Sequence, residues 1–339
     1  MVSLKTIAEK CGVSTATVSK ALNDQRDVSE ETKHRIKKTA EALGYFPNAA
    51  ARALKTNRSY NIGVLFEEEG GSGFNHEYFS GVLNGLKVQA EKRGYDITFI
   101  NTCFENRRMS YYEHCRYRNF EGVAIVCADY NDPDVLELMN SDLPVVTIDY
   151  VHHNCTAVSS NNIQGIENLV KYIYQQGHRK IAYIHGQENS YVTKDRLASF
   201  YRTMDELGLE VPDQYIRTAD YLETKEAARQ TRELLNLTNV PTCIIYPDDT
   251  ALIGGRNVII EMGLRIPRDI SVAGYDGTRI SQLLHPKLTT IRQNPELIGS
   301  EAAKRLIGTI EKPRTTLVER VVIEGSLVPG QSVGKILQK

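Results

Sequence analysis

The sequence predicts a small all-α helix-turn-helix headpiece followed by a larger α/β body with two parallel-sheet lobes. In the first sixty residues, apolar side chains recur at helical spacing between Gly and Ser residues. Beyond them, short apolar runs alternate with longer amphipathic stretches, the pattern of parallel sheets covered by helices. The roughly 280 residues after Ser59 exceed what one compact sheet accommodates, so we expect two lobes.

The three headpiece helices are predicted from caps, stops and inward-facing positions. Gly12 ends the first helix, Ser14 caps the second, Ser29 caps the third and Gly44 ends it. The apolar residues that we expect to face inward are Ile7, Ala8 and Cys11, then Val18, Ala21 and Leu22, then Ile36, Ala40 and Leu43. Two short helices joined by a tight turn and braced by a third form a helix-turn-helix.

The outer face of the second helix carries small hydroxyl-bearing side chains and one lysine, which suits DNA. Ser14 and the free amides at the helix start can hold a phosphate. Thr15 and Ala16 suit the methyl group of thymine, and Lys20 can donate to guanine. The alternative is a three-helix bundle without a DNA role.

The charge distribution separates the same two parts of the chain. Through Ser59 there are eleven Lys/Arg and six Asp/Glu, whereas the rest has 30 basic and 36 acidic residues. A small basic domain ahead of a mildly acidic body is typical of a nucleic-acid reader attached to a second domain.

The composition argues against several other classes of protein. Hydrophobic residues make up 41% of the chain and charged residues 24%, which is ordinary for a globular protein. No apolar run approaches the roughly 18–20 residues of a membrane span, and the start MVSLKTIAEK lacks the apolar core of a signal peptide. We therefore expect a cytoplasmic protein without membrane contact. Six scattered cysteines without CxxC or zinc spacing predict neither a disulfide framework nor a metal site.

The stretch PNAAARALKTN, residues 47–57, is rich in helix formers but too short to hold a helix alone. Asn48 is a good N-cap, and the alanines favour helix. Isolated helices need roughly 12–15 residues even when alanine-rich, and Leu54 is the one large apolar side chain here. This segment is either a helix that forms only against a partner or a flexible linker.

The body is predicted to alternate strands and helices. The predicted strands cover residues 62–66, 97–100, 123–127, 145–148, 181–184, 243–246 and 271–275. The predicted helices cover residues 78–93, 163–176, 197–207, 225–235 and 250–262. The stretches LLHPKLTTIRQNP and LVERVVIEG are interpreted as chain returning between the lobes.

Polar residues at the ends of these elements point to a ligand cleft. Asp149 and Asp276 follow two predicted strands, and Arg196 opens a helix that follows another. Two acceptors and a forked donor suit a polyhydroxylated ligand, whose hydroxyls both donate and accept. The sequence contains no nucleophile elbow, phosphate loop or paired-histidine motif, so we expect neither an enzyme nor a bound cofactor.

The headpiece resembles that of the lactose/galactose repressor family, in the stretches LKTIAEKCGVSTATVSKALN, VSEETKHRI and LGYFPNAAARALKTN. The resemblance implies a homodimer that places two headpieces in successive major grooves of a palindromic operator. It implies base contacts from Thr15, Ala16 and Lys20, and mainly backbone contacts from Ser14, Thr17, Ser19 and Asn23. Lys20 stands where many relatives have arginine, whose planar fork to guanine it cannot make.

The resemblance also implies a hinge helix over residues 47–58, between a headpiece at 1–46 and an effector-binding and dimerisation domain at 59–339. The hinge positions that it implies for DNA contact are Asn48, Ala51 and Leu54. In the family this helix becomes ordered on DNA beside its twin, and the leucine matching Leu54 wedges into a base step from the minor groove.

The body resembles the family's effector domain, which has the fold of periplasmic sugar-binding proteins, in GHRKIAYIHG, RLASFYRTMDELGL, IPRDISVAGYDGT and PKLTTIRQ. The effector-binding residues that it implies are Arg196, Asp276, Asp149, Tyr78, Phe79 and Asp248. Alternatively, Phe79 packs in the core, and Asp149 is a structural hydrogen-bond partner. For Asp248 we favour the alternative that it caps the next helix. Pro247 replaces a common asparagine and removes a ligand-bonding amide.

These features together imply a DNA-binding transcriptional repressor controlled by a small-molecule effector, which we expect to be a sugar. One alternative is a purine-type regulator whose ligand strengthens DNA binding, or one controlled by a partner protein. Another, from a different class, is a sugar-binding protein without DNA whose basic N-terminus is incidental. Because no leucine heptads follow the body, we expect a dimer.

Overall fold

The computed structural model describes residues 2–46, 53, 58–67, 73–104 and 107–336. The chain divides into two compact units, Met1–Ser59 and Tyr60–Lys339. Three predicted DNA contacts, Asn48, Ala51 and Leu54, lie outside the described residues.

Over residues 2–46, the first unit contains the helices α1 (Leu4–Cys11), α2 (Thr15–Leu22) and α3 (Glu30–Ala42). The side chains of Ser14 and Ser29 cap α2 and α3 by accepting hydrogen bonds from the backbone three residues later. Gly12 ends α1 in the left-handed conformation, with φ +63°. The predicted apolar residues form the core, with Leu22 and Leu43 partly buried at its edge. The predicted caps and stops therefore define this unit.

The second unit contains two lobes, and the first is built on a parallel sheet. Its strands are β1 (Asn61–Phe66), β2 (Asp96–Phe99), β5 (Gly122–Cys127), β6 (Val145–Ile148), β7 (Thr156–Ser160) and β13 (Arg320–Ile323). Its helices are α4 (Glu77–Lys92), α5 (Tyr111–Tyr117), α6 (Pro133–Met139) and α12 (Pro295–Glu311). The strand order is β13-β7-β6-β5-β1-β2. Two short strands, β3 (Cys103–Phe104) and β4 (Arg107–Arg108), form a separate hairpin.

The second lobe has a four-stranded parallel sheet. Its strands are β8 (Ile181–His185), β9 (Ile216–Thr218), β10 (Cys243–Ile245) and β11 (Ser271–Ala273), in the order β11-β10-β8-β9. Its helices are α7 (Asn162–Gln175), α8 (Tyr191–Glu206), α9 (Thr224–Leu235), α10 (Asp249–Glu261) and α11 (Arg279–Leu283). A third sheet pairs β12 (Thr290–Arg292) with β14 (Ser326–Val328) in antiparallel fashion.

Both parallel sheets are covered by apolar side chains on their two faces, which explains why their strands are short apolar runs. The strand β8, for example, is buried along its whole length. Within the described ranges, no helix combines the length and the hydropathy of a membrane span.

Two predictions about the body need correction. The helix predicted over 197–207 begins at Tyr191, because the side chain of Ser190 caps it there, so Arg196 lies inside α8 and does not open it. The late stretch LVERVVIEG does more than return between the lobes, since its strand β13 pairs with β7 at the edge of the first sheet. The helix α12 precedes it and packs against α4.

Two glycines allow α4 and α12 to approach closely. A Cβ atom on Gly85 would lie 2.0 Å from the carbonyl oxygen of Glu296, and one on Gly299 would lie 1.9 Å from that of Val82. Each contact is with backbone, which cannot move aside as a side chain can. The pairing fixes α4, whose first turn carries Tyr78.

Candidate nucleic-acid interface and effector site

The predicted base-reading end of α2 is accessible. Ser14, Thr15 and Ala16 are exposed, while Thr17 and Ser19 are partly buried. The Ser14 hydroxyl accepts a hydrogen bond from the backbone N–H of Thr17 at 3.1 Å and lies 2.9 Å from the Thr17 hydroxyl. Ser14 therefore fixes the start of the helix, and the small side chains after it let a duplex approach the backbone.

The other end of α2 carries its cation and its C-cap. The amide nitrogen of Asn23 donates to the carbonyl of Ser19 at 2.6 Å. The ammonium of Lys20 forms an ion pair with the carboxylate of Asp27, in the turn before α3. The sequence predicted that Lys20 donates to guanine, but it did not predict the pairing with Asp27. That pairing depends on the conformation of the turn between α2 and α3.

Arg196 is the central residue of the predicted effector site and is almost completely buried in the second lobe. Its Nε donates to Asn162 Oδ1 at 2.8 Å, and its Nη1 donates to the carbonyl oxygen of Pro247 at 3.1 Å. Its guanidinium carbon lies 3.6 Å from the ring centroid of Tyr275. Its Nη2 points toward Asp276, 3.9 Å from Oδ1, which exceeds a hydrogen-bond distance.

Asp276 follows β11, and its backbone has φ +92°. Its Oδ1 accepts a hydrogen bond from Gln293 Nε2 at 2.6 Å. The backbone N–H of Gln293 also donates to the carbonyl of Asp276, at 3.1 Å. Gln293 therefore holds the carboxylate beside Arg196 from the segment that leads back to the first lobe.

Asp149 is the corresponding residue of the first lobe, directly after β6. Its backbone is also left-handed, with φ +54°, a conformation that is uncommon without glycine and that clusters at functional sites. The Ser160 N–H donates to its Oδ1 at 3.1 Å, and the Tyr78 hydroxyl donates to its Oδ2. Burial raises the pKa of Asp149, and the Tyr78 hydrogen bond opposes that shift.

A group of tyrosines stands beside Asp149. The rings of Tyr130 and Tyr150 stack with centroids 3.7 Å apart and planes inclined by 3°. Tyr150 also meets the ring of Tyr191, at the start of α8 in the second lobe, with centroids 4.9 Å apart. These rings bring aromatic surface from both lobes together.

The two consecutive aspartates before and at the start of α10 are occupied by the fold. Asp248 Oδ1 accepts from the N–H groups of Thr250 and Ala251, and its Oδ2 accepts from that of Leu222. It is thus the helix cap that the sequence favoured, and both of its carboxylate oxygens accept hydrogen bonds within the fold. Burial, with the nearby charge of Asp276, raises the pKa of Asp248 to about 6.

Asp249, which the sequence interpretation missed as a site residue, supports the loop that carries Asp276. Its Oδ1 accepts from the Thr290 hydroxyl at 2.8 Å, and its Oδ2 accepts from the N–H and hydroxyl of Thr278, at 2.8 and 3.0 Å. Burial, with the charge of Asp276, raises the pKa of Asp249 to about 8.

Phe79 is partly buried and packs against the core of the first lobe. Its ring meets those of Phe66 and His76, with centroids 5.5 and 4.5 Å away. The structure therefore brings together Arg196, Asp276, Asn162, Tyr275 and Gln293 in one cluster and Asp149 and Tyr78 in another. It places Phe79 among aromatic rings at the edge of the core of the first lobe.

Sequence reasoning missed Asn162, Tyr275 and Gln293. Only the tertiary fold brings Asn162 and Tyr275 to Arg196 and brings Gln293 to Asp276. Sequence reasoning also did not anticipate the backbone contact of Pro247, whose carbonyl oxygen accepts the hydrogen bond of Arg196. Arg196 and Tyr275 form a cation–π contact, which stabilises a guanidinium most where water is excluded.

Comparisons with known proteins cover nearly the whole chain. Residues 3–48 match the bacterial regulatory proteins of the lacI family, and residues 170–333 match the periplasmic binding protein-like domain. The HTH-type transcriptional repressor PurR of Aliivibrio salmonicida is 30% identical over 315 residues, covering 92% of this chain and 93% of its own. The repressor of the same name from Mannheimia succiniciproducens is 29% identical, covering 99% of this chain and 100% of its own.

Solved structures agree with this likeness. The crystal structure of the lac repressor dimer bound to operator and the anti-inducer ONPF is 25% identical, has a TM-score of 0.82, and covers 98% of this chain and 99% of its own. The predicted fold class, a helix-turn-helix headpiece with a periplasmic-binding-protein-like body of two parallel-sheet lobes, is thereby confirmed.

Proposed function

This chain belongs to the lacI family of bacterial regulatory proteins, and we propose that its operator affinity is controlled by a small polar molecule bound between the lobes of its second unit. As a member of that family it is a DNA-binding transcriptional repressor and not an enzyme.

We propose that a homodimer binds a palindromic operator, each protomer placing α2 in the major groove. Thr15, Ala16 and Lys20 would contact bases, and the predicted backbone contacts are Ser14, Thr17, Ser19 and Asn23. The exposure of Ser14, Thr15 and Ala16 supports this role. The headpiece would cover residues 1–46, the hinge helix 47–58, and the effector-binding and dimerisation domain 59–339. The hinge helix would become ordered on DNA, with contacts from Asn48, Ala51 and Leu54.

The gap between Arg196 and Asp276 is the observation that carries the effector proposal. Nη2 and Oδ1 are 3.9 Å apart, too far for a direct hydrogen bond. A ligand hydroxyl about 2.8 Å from both atoms would accept from the guanidinium and donate to the carboxylate. Few ligand groups other than hydroxyl or water can do both, which supports a sugar or related polyol.

The charge around the site argues against an anionic effector. Asp149, Asp248 and Asp276 carry three carboxyl groups, whereas Arg196 is the one cation of these four residues. A sugar phosphate or carboxylic acid would therefore meet repulsion without a second basic partner. An uncharged saccharide would place hydroxyls on the carboxylates and a ring face on the tyrosines.

A second candidate class is favoured by one observation, the parallel stack of Tyr130 and Tyr150. A planar nucleobase would extend such a stack, as in the purine-type alternative in which ligand strengthens DNA binding. Control by a partner protein is the remaining alternative, and it predicts that no small molecule of either class stabilises the chain.

The test is thermal unfolding of the full chain with uncharged sugars, the matching sugar phosphates and nucleobases. A ligand at 100 times its dissociation constant should add about 2.7 kcal/mol of stability. The Arg196→Lys variant should lose that gain, because an ammonium cannot replace the fork to Asn162 and Pro247. Arg202→Lys, an exposed substitution on the same helix α8, should keep it.

Stabilisation by sugar phosphates in preference to sugars would overturn the charge argument, and a gain that survives Arg196→Lys would place the ligand elsewhere. Operator binding measured with and without the stabilising ligand then gives the direction of control. Weaker binding indicates induction, and tighter binding indicates corepression.

A further inference from the structure

The turn between α2 and α3 supplies a carboxylate to the only lysine of α2. Lys20 is the one basic residue between Thr15 and Leu22, and its ammonium pairs with Asp27. About half of each side chain is exposed, at 45% for Lys20 and 52% for Asp27. The pair therefore lies at the surface of the first unit, where a duplex would compete with it.

An ammonium has three donors, and one carboxylate oxygen uses only part of that capacity. Lysine is a point charge on a flexible four-carbon chain, unlike the planar fork of arginine, so by itself it favours no particular acceptor direction. A fixed carboxylate beside it restricts where the ammonium can lie. Asp27 thus provides an orientation that the lysine side chain lacks.

We propose that Asp27 is a specificity-determining positioning residue, which aims Lys20 at a base edge and keeps it from binding phosphates indiscriminately. The inference rests on the proposed role of α2 in the major groove. A base acceptor can share the ammonium with Asp27, because two donors remain. A phosphate must compete with the carboxylate for the same positive charge, and it is repelled by the charge of Asp27 itself.

The physical consequence is a difference between sequence-specific and non-specific binding. A lysine that contacts phosphate releases a counterion in any sequence, and this term dominates non-specific affinity and its salt dependence. Pairing with Asp27 suppresses that contribution from Lys20. Contacts to base edges carry the sequence information, so suppression of the phosphate contact raises the ratio of specific to non-specific affinity.

Asp24 offers a matched comparison within the same turn. Its carboxylate pairs with Lys37 of α3, 2.5 Å away, so the chemistry is the same but the lysine does not belong to α2. Lys33 also lowers the pKa of both aspartates, after the larger effect of their own lysine partners. The partner lysine is thus the main difference between them, and the left-handed backbone of Asp24, φ +55°, tolerates asparagine.

The experiment compares Asp27→Asn with Asp24→Asn in the full chain. Wild-type protein first selects a palindromic duplex from a random pool. Fluorescence anisotropy then measures the affinity of each variant for that duplex and for a shuffled duplex, across a salt series. A scan of single base-pair substitutions in one half-site completes the data, and Lys20→Ala identifies the base pair that Lys20 reads.

We expect Asp27→Asn to bind the shuffled duplex more tightly and with a steeper salt dependence. The change in slope should be about 0.9 per freed lysine, or about 1.8 for a dimer. A preference of about tenfold at the Lys20 base pair should fall to about threefold. Asp24→Asn should keep the wild-type preference at that base pair within about twofold. Exposed ion pairs contribute little to folding, so both variants should fold.

A second variant separates positioning from a merely structural role. Lys20→Arg combined with Asp27→Asn should regain discrimination at that base pair, because the guanidinium fork is oriented without help. If Asp27→Asn behaves like Asp24→Asn, or if the arginine fails to restore discrimination, the positioning role is wrong while the proposed function stands. If wild-type protein selects no palindrome, the proposed function itself is overturned.

Discussion

The guanidinium of Arg196 lies over the ring of Tyr275, 3.6 Å from its centroid, while the Tyr275 hydroxyl is buried with no hydrogen-bond partner among the described residues. The ring and the hydroxyl of this tyrosine therefore have opposite energetic effects. The ring stabilises a desolvated cation, and the hydroxyl has lost its water without a replacement.

The substitution Tyr275→Phe is expected to stabilise the body by about 1 kcal/mol, because it removes the unpaired hydroxyl and keeps the ring. Tyr275→Leu should lower the free energy of unfolding by about 2–4 kcal/mol, since it removes the ring beneath Arg196. Urea denaturation measures both. A phenylalanine variant less stable than wild type by 1 kcal/mol would show that the hydroxyl has a partner.

Asp249 should make stability depend on pH. Burial raises its pKa to about 8 in the folded chain, so the folded state holds the proton more tightly than the unfolded chain. Its stabilising contribution is therefore complete below about pH 4 and is lost as the pH rises through about 8. From pH 6 to 8 we expect this group to lower the free energy of unfolding by at most about 1.4 kcal/mol per pH unit.

The Asp249→Asn variant should flatten that dependence, because an amide does not titrate and can still bond Thr278 and Thr290. Denaturation at pH 6, 7 and 8 gives the slopes. Equal slopes for wild type and variant would mean that Asp249 stays ionised in the folded chain across this range.

The contact between α4 and α12 should not tolerate a side chain at Gly85. In Gly85→Ala the new methyl group would lie 2.0 Å from the carbonyl oxygen of Glu296, so we expect a loss of about 1–3 kcal/mol of stability. Gly308→Ala is the control. It lies on α12 with no atom near its Cβ position, and alanine should add up to about 1 kcal/mol there. Similar effects of both substitutions would contradict the close packing.

The hinge proposal is tested by Leu54→Ala. If Leu54 wedges into a base step, the variant should lose affinity for a selected palindrome, because unstacking is no longer compensated. Binding to a shuffled duplex should change little, since phosphate contacts dominate it. Anisotropy titrations measure the affinity for both duplexes. An equal loss of affinity for the two would show that Leu54 does not wedge into a base step.

Much of the fold followed from local signals. Ser14 and Ser29 were predicted as caps because hydroxyl side chains at these positions accept from free amides, and the structure has both bonds. The strands of the body were predicted because burial on both faces demands apolar runs. The helix α12 was missed although Asn294 and Pro295 mark its start in the usual way.

The candidate site was predictable only in part. Asp149 and Asp276 could be found because each directly follows a predicted strand, and ligands bind outside the carboxyl ends of parallel strands. Asn162 and Gln293 could not, since Asn162 opens α7 and Gln293 follows β12. Both are distant in sequence from the residues that they bond, Arg196 and Asp276, and meet them only in the tertiary fold. No periodic pattern encodes such a meeting. The pairing of Lys20 with Asp27 was missed for a similar reason, because an irregular turn brings them together.

The strand β13 lies about 160 residues after β7, the strand that it pairs with, and this separation has a consequence for synthesis on the ribosome. The four strands of the second sheet come from one continuous stretch that ends with Ala273. The sheet nearer the N-terminus keeps an open edge at β7 until the chain has been extended through Ile323. Since nascent domains fold as units when their segments emerge, the second lobe is expected to assemble its sheet first, and the first sheet is completed only after Ile323 has emerged.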